Sequence, residues 1–192
     1  MQEIVRQCLT EIVQDLESLA KNQSVLQDIV AAAELIAQAI KKNQIVVTAG
    51  NGGSMCDAMH LSEELLGRFR GDRPSFGAIS ISDPSYLTCA ANDYGYEEVF
   101  SRAVAGLGRA GDVFIGFTTS GKSKNILNAL KVARTNKLKC IAIVGKSNPV
   151  IVANSDIVIE TPGSSGFADR VQEQHGVVIH ILIQLVEKLL CP

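Results

Sequence analysis

An α/β fold, with a parallel sheet held between helical layers, follows from three features of this 192-residue sequence. Five short runs rich in branched residues, at 45–49, 78–82, 113–117, 140–144 and 157–160, are separated by helical segments. Strands that alternate with helices pair in parallel through right-handed crossovers. The first 42 residues instead repeat apolar side chains at helical spacing, and so does the stretch that closes the chain. The prediction is one domain over 1–192, with a helical hairpin over 1–42 and a doubly wound α/β core with five strands over 43–192.

Element by element, Ile4, Val5, Cys8, Leu9, Ile12, Val13, Leu16 and Leu19 mark a helix over 3–20. Leu26, Ile29, Val30, Ala33, Ile36 and Ile40 mark a second over 25–40, and Lys41-Lys42-Asn43 suits its end. The five strands follow. Two of them run directly into loops rich in glycine and hydroxyl groups, Gly50-Asn51-Gly52-Gly53-Ser54 and Thr118-Thr119-Ser120-Gly121-Lys122-Ser123. In doubly wound sheets ligands sit beyond the carboxyl ends of the strands, so both loops are placed to bind. The last helix is expected from near Ser165 to about Leu190. Its second half is apolar on nearly every face, which predicts burial, in part between subunits. The hairpin also carries more apolar surface than one small sheet needs, and both features favour an oligomer.

Composition narrows the function classes. The chain is 46% hydrophobic with a net charge of −2, so no basic surface calls for nucleic acid. The longest apolar stretch, residues 177–190, contains His180, Gln184, Glu187 and Lys188 and is too short and polar to span a bilayer. Five cysteines at irregular spacing, without a C-x-x-C pair, fit reduced thiols in a cytosolic protein. The acid at position 3 and the lack of a continuous apolar core argue against a leader peptide.

Two polar stripes carry the chemistry. His60, Glu64 and Arg68 share one face of a helix read over 54–69, with Asp57 in the same arc. Asp169, Gln172, Gly176 and His180 share a face of the last helix. Taken alone, His60/Glu64 is an ordinary exposed i,i+4 pair, and a histidine inside Val-Ile-His-Ile-Leu-Ile is an ordinary core histidine. Their coincidence with the loops is what raises a functional reading: imidazole, carboxylate and amide on converging faces can hold a metal or move a proton. Thr118, Thr119, Ser120 and Ser123 would set four hydroxyls at a helix start, where free N–H groups and the helix dipole favour a phosphate. Gly52 and Gly53 would let the other loop approach the ligand closely. The segment 116–123 also satisfies G-x-x-x-x-G-K-[ST], the nucleotide-binding P-loop pattern, but it follows the third strand and no later strand ends in an aspartate for magnesium.

The combination Gly50-Asn51-Gly52-Gly53-Ser54, Asp57-Ala58-x-His60-x-x-x-Glu64, Asn92-Asp93, Thr119-Ser120-Gly121-x-Ser123 and Ala168-Asp169-Arg170-x-Gln172-Glu173-x-His175-x-x-x-x-His180 resembles the phosphoheptose isomerases, over essentially the whole chain. The resemblance implies a three-layer α/β/α SIS-type (flavodoxin-like) domain, a cytoplasmic homotetramer and active sites at subunit interfaces. It implies conversion of sedoheptulose 7-phosphate to heptose 7-phosphate for cell-surface glycans. It also implies one Zn2+ per subunit on His60, Glu64, Gln172 and His180. Asn51, Ser54, Asp93, Thr118, Thr119, Ser120, Ser123, Asp169 and Gln172 match substrate-contacting positions, and Gly52, Gly53 and Arg68 complete the candidate set. The loop over 162–166 departs from the pattern in detail.

For such an isomerisation Glu64 is assigned to carbon-proton transfer and His180 to acid/base work at the oxygens or the neighbouring carbon. The rival readings are a P-loop-like NTPase, a sugar-phosphate sensor, and a noncatalytic relative that binds a replication initiator. The last is similar to proteins expected to lack the acid and the late histidine, both present here.

Overall fold

A computed structural model describes residues 1–163 and 165–191. Ser164, in the 162–166 loop, and Pro192 lie outside the described residues. The hairpin is α1 (Gln2–Lys21) and α2 (Gln23–Lys41), joined by the single residue Asn22. Asn22 closes one helix and opens the next, its side chain accepting the Val25 N–H at 3.4 Å.

The core follows as β1 (Val46–Ala49), α3 (Gly53–Leu66), β2 (Ala78–Ser80), α4 (Pro84–Tyr94), a 3-10 turn (Tyr96–Glu98), α5 (Val99–Leu107), β3 (Val113–Thr118), α6 (Lys124–Thr135), β4 (Lys139–Val144), α7 (Pro149–Asn154), β5 (Ile157–Glu160) and α8 (Ala168–Leu190). All five strands pair in parallel, in the order β2-β1-β3-β4-β5. This is the flavodoxin-like order, and its ligand crevice opens where connections depart in opposite directions, between β1 and β3.

Period-2 alternation in the strands builds two cores. Val46, Val113, Ile115, Phe117, Ile141, Ile143 and Ile159 face one side, where they pack with α2, α3, α8 and the end of α1. Val47, Ala49, Phe114, Cys140, Ala142 and Val144 face α4, α5, α6 and α7 on the other. The three-layer α/β/α fold is therefore the one expected.

Most boundaries fall within a residue or two of the sequence reading, and four of those that differ have a local reason. The second strand stops at Ser80 rather than residue 82, because it is an edge strand whose pairing ends with β1. The third runs one residue further, to Thr118, which pairs with Val144. Helix α3 ends at Leu66, where the Gly67 N–H turns back to the Glu63 carbonyl at 2.8 Å. Arg68 thus lies beyond the helix, exposed, and the stripe argument does not extend to it. Helix α8 begins at Ala168, not Ser165, since Pro162 and Gly166 (φ +75°) hold the approach out of helical geometry.

Candidate active site

The loop after β1 and the loop after β3 meet at the crevice. Asn51 and Asn125 exchange reciprocal carboxamide hydrogen bonds, both 2.9 Å, and the Tyr96 hydroxyl donates to Asn51 Oδ1 at 2.9 Å. Gly50 is needed at the turn, because a Cβ there would lie 2.1 Å from the Ser54 carbonyl oxygen. Ser54 is buried in the first turn of α3.

The hydroxyl loop is folded on itself. Thr118 Oγ1 and Ser123 Oγ lie 3.0 Å apart, the Gly121 N–H donates to Thr118 Oγ1 at 3.2 Å, and the Lys122 N–H donates to Ser120 Oγ at 3.1 Å. Ser123 precedes α6 but its side chain makes no capping hydrogen bond. Hydroxyls placed merely to cap the helix would have left Ser123 on the α6 N–H groups. A cleft of about 390 Å³ opens beside Thr119, Ser120 and Lys122 and reaches the start of α8 at Ala168 and Val171.

The two stripes do converge, because α3 and α8 lie side by side in the same direction. Near their starts, Gln172 packs on Gly53, its Oε1 lying 2.2 Å from where a Cβ would stand. The same carboxamide hydrogen-bonds Asp57. Further along, His60 and His180 meet edge to face, with centroids 5.0 Å apart, and His60 Nε2 lies 3.3 Å from Glu64 Oε1. His60, Glu64 and His180 each offer a ligand atom within 4.8 Å of the others. Two imidazoles and a carboxylate at that spacing suit a divalent transition metal. Phe69 stacks on His180 at 5.7 Å. Helix α3 is held to the sheet from below, as Thr48 Oγ1 donates to the Ala58 carbonyl at 2.8 Å and lies 2.9 Å from Ser62 Oγ.

Not every candidate joins this group. Asp93 accepts from Asn92 and Cys89 within α4. Asp169 is exposed and its nearest charged partner is Arg170, at 3.9 Å. Gln172 packs on Gly53 near the starts of the two helices, about two turns before the histidines.

Sequence reasoning missed Asn125 and Tyr96, which fix Asn51. An asparagine early in a helix reads as a local cap, and its real partner is 74 residues away. It also gave no role to the buried pair beneath the stripes, His175 Nδ1 at 3.9 Å from Asp57 Oδ2. Burial pushes the Asp57 carboxyl up to about 6, with the Gln172 hydrogen bond and the His60 charge pulling it back. Burial pushes His175 down to about 4, so it is neutral at physiological pH.

The P-loop reading fails on geometry. Gly116 sits mid-strand, paired with Ala49 and Ala142, and Lys122 and Ser123 precede α6 instead of forming its first turn. Against known proteins, residues 9–145 match the SIS domain family. A phosphoheptose isomerase from Aeromonas hydrophila is 50% identical over 187 residues, covering 97% of either chain. The chain belongs to the phosphoheptose isomerase family. Two solved phosphoheptose isomerases share its architecture. That of Neisseria gonorrhoeae has a TM-score of 0.89 at 33% identity, covering 97% of this chain and 98% of the other. That of Francisella tularensis has a TM-score of 0.90 at 28% identity, with the same coverage. The likeness to these phosphoheptose isomerases spans both the hydroxyl-rich loop and the acid/histidine helices.

Proposed function

We propose that the chain interconverts sedoheptulose 7-phosphate and D-glycero-D-manno-heptose 7-phosphate, the first step towards nucleotide-activated heptose. The observation that carries this reading is the meeting of Glu64 with His60 and His180, in a fold whose hydroxyl loop closes a central strand. His60 lies seven residues into α3, about 10 Å along the axis from the loop after β1. A sugar chain lying along α3 would span that distance between the glycines of the first loop and the candidate ligands.

In this reading Thr118, Thr119, Ser120 and Ser123 hold the phosphate with the N–H groups at the start of α6. Asn51, Gly52, Gly53, Ser54, Asp93, Asp169 and Arg68 are assigned to the sugar. The Glu64 carboxylate takes a proton from C1 of the ketose and returns it to C2, through an enediol or enediolate. His180 moves the proton between the two oxygens. The donor set fits Zn2+, which His60, Glu64, Gln172 and His180 would hold. When bound, such a metal polarises the carbonyl and stabilises the enediolate. Glu64 would then be both a ligand to the metal and the group that carries the substrate proton. The family resemblance adds a homotetramer with sites at subunit interfaces, a cytoplasmic setting, and the single-domain division at residue 42.

Incubating the protein with sedoheptulose 7-phosphate, before and after chelation and Zn2+ re-addition, tests the reading. Heptose 7-phosphate formed, lost with chelator and restored by Zn2+, is the expected result. Absence of product under all conditions refutes it.

A further inference from the structure

Helices α3 and α8 bring the acid and the histidines together, and a third contact lies beyond them, past the end of α3. Arg73 stands in the loop after α3 with its side chain 2% exposed. Its Nε donates to Glu187 Oε1 at 2.8 Å. Its Nη1 donates to the carbonyls of Leu65, Gly67 and Pro74, at 2.9, 3.0 and 3.0 Å. Its Nη2 donates at 2.6 Å to the carbonyl of Glu64 itself. The guanidinium also lies over the Phe76 ring, 4.2 Å from the centroid.

Glu187 stands on α8, two turns after His180 and on the same face. Its Oε1 accepts the Phe69 N–H as well, at 3.2 Å, and Phe69 is the ring stacked on His180. One buried ion pair therefore touches the backbone of Glu64 on one helix and, through Phe69, the ring of His180 on the other.

We propose that Arg73 and Glu187 are positioning residues, which set the register of α3 against α8 and so the spacing of Glu64 and His180. Chemistry favours this over a plain stability role. The last carbonyls of a helix need partners, and glycine or water usually suffices. Here a fork of five N–H groups, held in one plane, gathers four carbonyls, three at the end of α3 and one at Pro74, and a carboxylate at once. Gln172 against Gly53 and Asp57 fixes the near ends of the helices. Arg73 with Glu187 fixes the far ends, and the three candidate ligands lie between. Lysine at 73 would keep the charge but reach only part of the set. Glutamine at 187 would keep the shape but drop the ion pair.

This inference rests on the isomerase reading, and the test separates the two. Wild type, Arg73→Lys, Glu187→Gln and a control truncation in the opposite core, Val104→Ala, are compared well below their melting temperatures. Turnover of sedoheptulose 7-phosphate is split into kcat and KM. Co2+ alone is titrated into metal-free protein, with its visible absorption and its affinity against a chromophoric chelator read out. Both site variants should lose roughly 10–100-fold in Co2+ affinity or kcat and change the Co2+ band, with KM near wild type. Val104→Ala should lower only the melting temperature. If Arg73→Lys does not fold, Glu187→Gln alone decides. Site variants with wild-type kcat, affinity and spectrum overturn the proposal, as does a Val104→Ala control with equal losses. A wild type without turnover overturns the isomerase reading and this inference with it.

Discussion

At the scale of single residues, Glu64 bears the heaviest assignment. Its carboxylate lies within reach of both imidazoles on a half-buried helix face. Glu64→Gln keeps shape and removes basicity, so kcat should fall by roughly 10²–10⁴-fold while the protein stays folded and binds substrate. Single-turnover assays alongside thermal melts check this, and wild-type-like turnover sinks the assignment. His175 makes a different kind of statement. It is fully buried and its pKa is depressed to about 4, against 6.5 in an unfolded chain. Whatever stability depends on its neutrality is intact above pH 6.5 and lost as pH falls towards 4, because the unfolded chain binds the proton more readily. The melting temperature of wild type should therefore drop more between pH 6.5 and 4 than that of His175→Gln. Parallel curves would remove His175 from the account.

At the scale of elements, the hydroxyl loop and the two parallel helices separate what a sequence displays from what it conceals. Thr118→Val removes the hydroxyl shared with Ser123 and Gly121. If that loop holds phosphate, KM should rise roughly tenfold, one charge-assisted hydrogen bond of about 1.5 kcal/mol. Lys122→Ala, on an exposed side chain, should leave KM near wild type; a severe loss there would revive nucleotide chemistry. The loops were legible because glycines and hydroxyls cluster directly after strands. The stripes were legible because i,i+4 spacing survives in any helix. Arg68 was misread because periodicity carries no mark of where a helix stops, and a single Gly67 stopped it. Asn125, Tyr96 and the Arg73–Glu187 pair were invisible for another reason. Their meaning lies in partners 45 to 118 residues away, which only the folded packing of loops and helices reveals.

At the scale of the whole molecule, the number and parallel sense of the five strands followed from the alternation of strands with helices, whereas their flavodoxin-like order came only with the family resemblance. What places the crevice is that β1 lies inside the sheet, between β2 and the central strand β3. On α1, Ile4, Val5, Leu9 and Val13 are each more than half exposed. Val5, Leu9 and Val13, spaced four apart, form an apolar stripe that water disfavours. Light scattering on a Val5→Asp/Leu9→Asp variant should report a smaller assembly than the wild type. An unchanged mass would remove the hairpin from the oligomer contact.

The placement of α8 has a consequence for truncation. This helix brings Val178, Ile179, Leu182, Ile183 and Val186 to the core as well as His180 to the side of His60 and Glu64. A chain cut before it would leave one face of the sheet half covered and Glu64 with a single imidazole. Loss of tertiary packing and loss of the three-residue cluster would come together, so shortening the chain cannot separate one from the other.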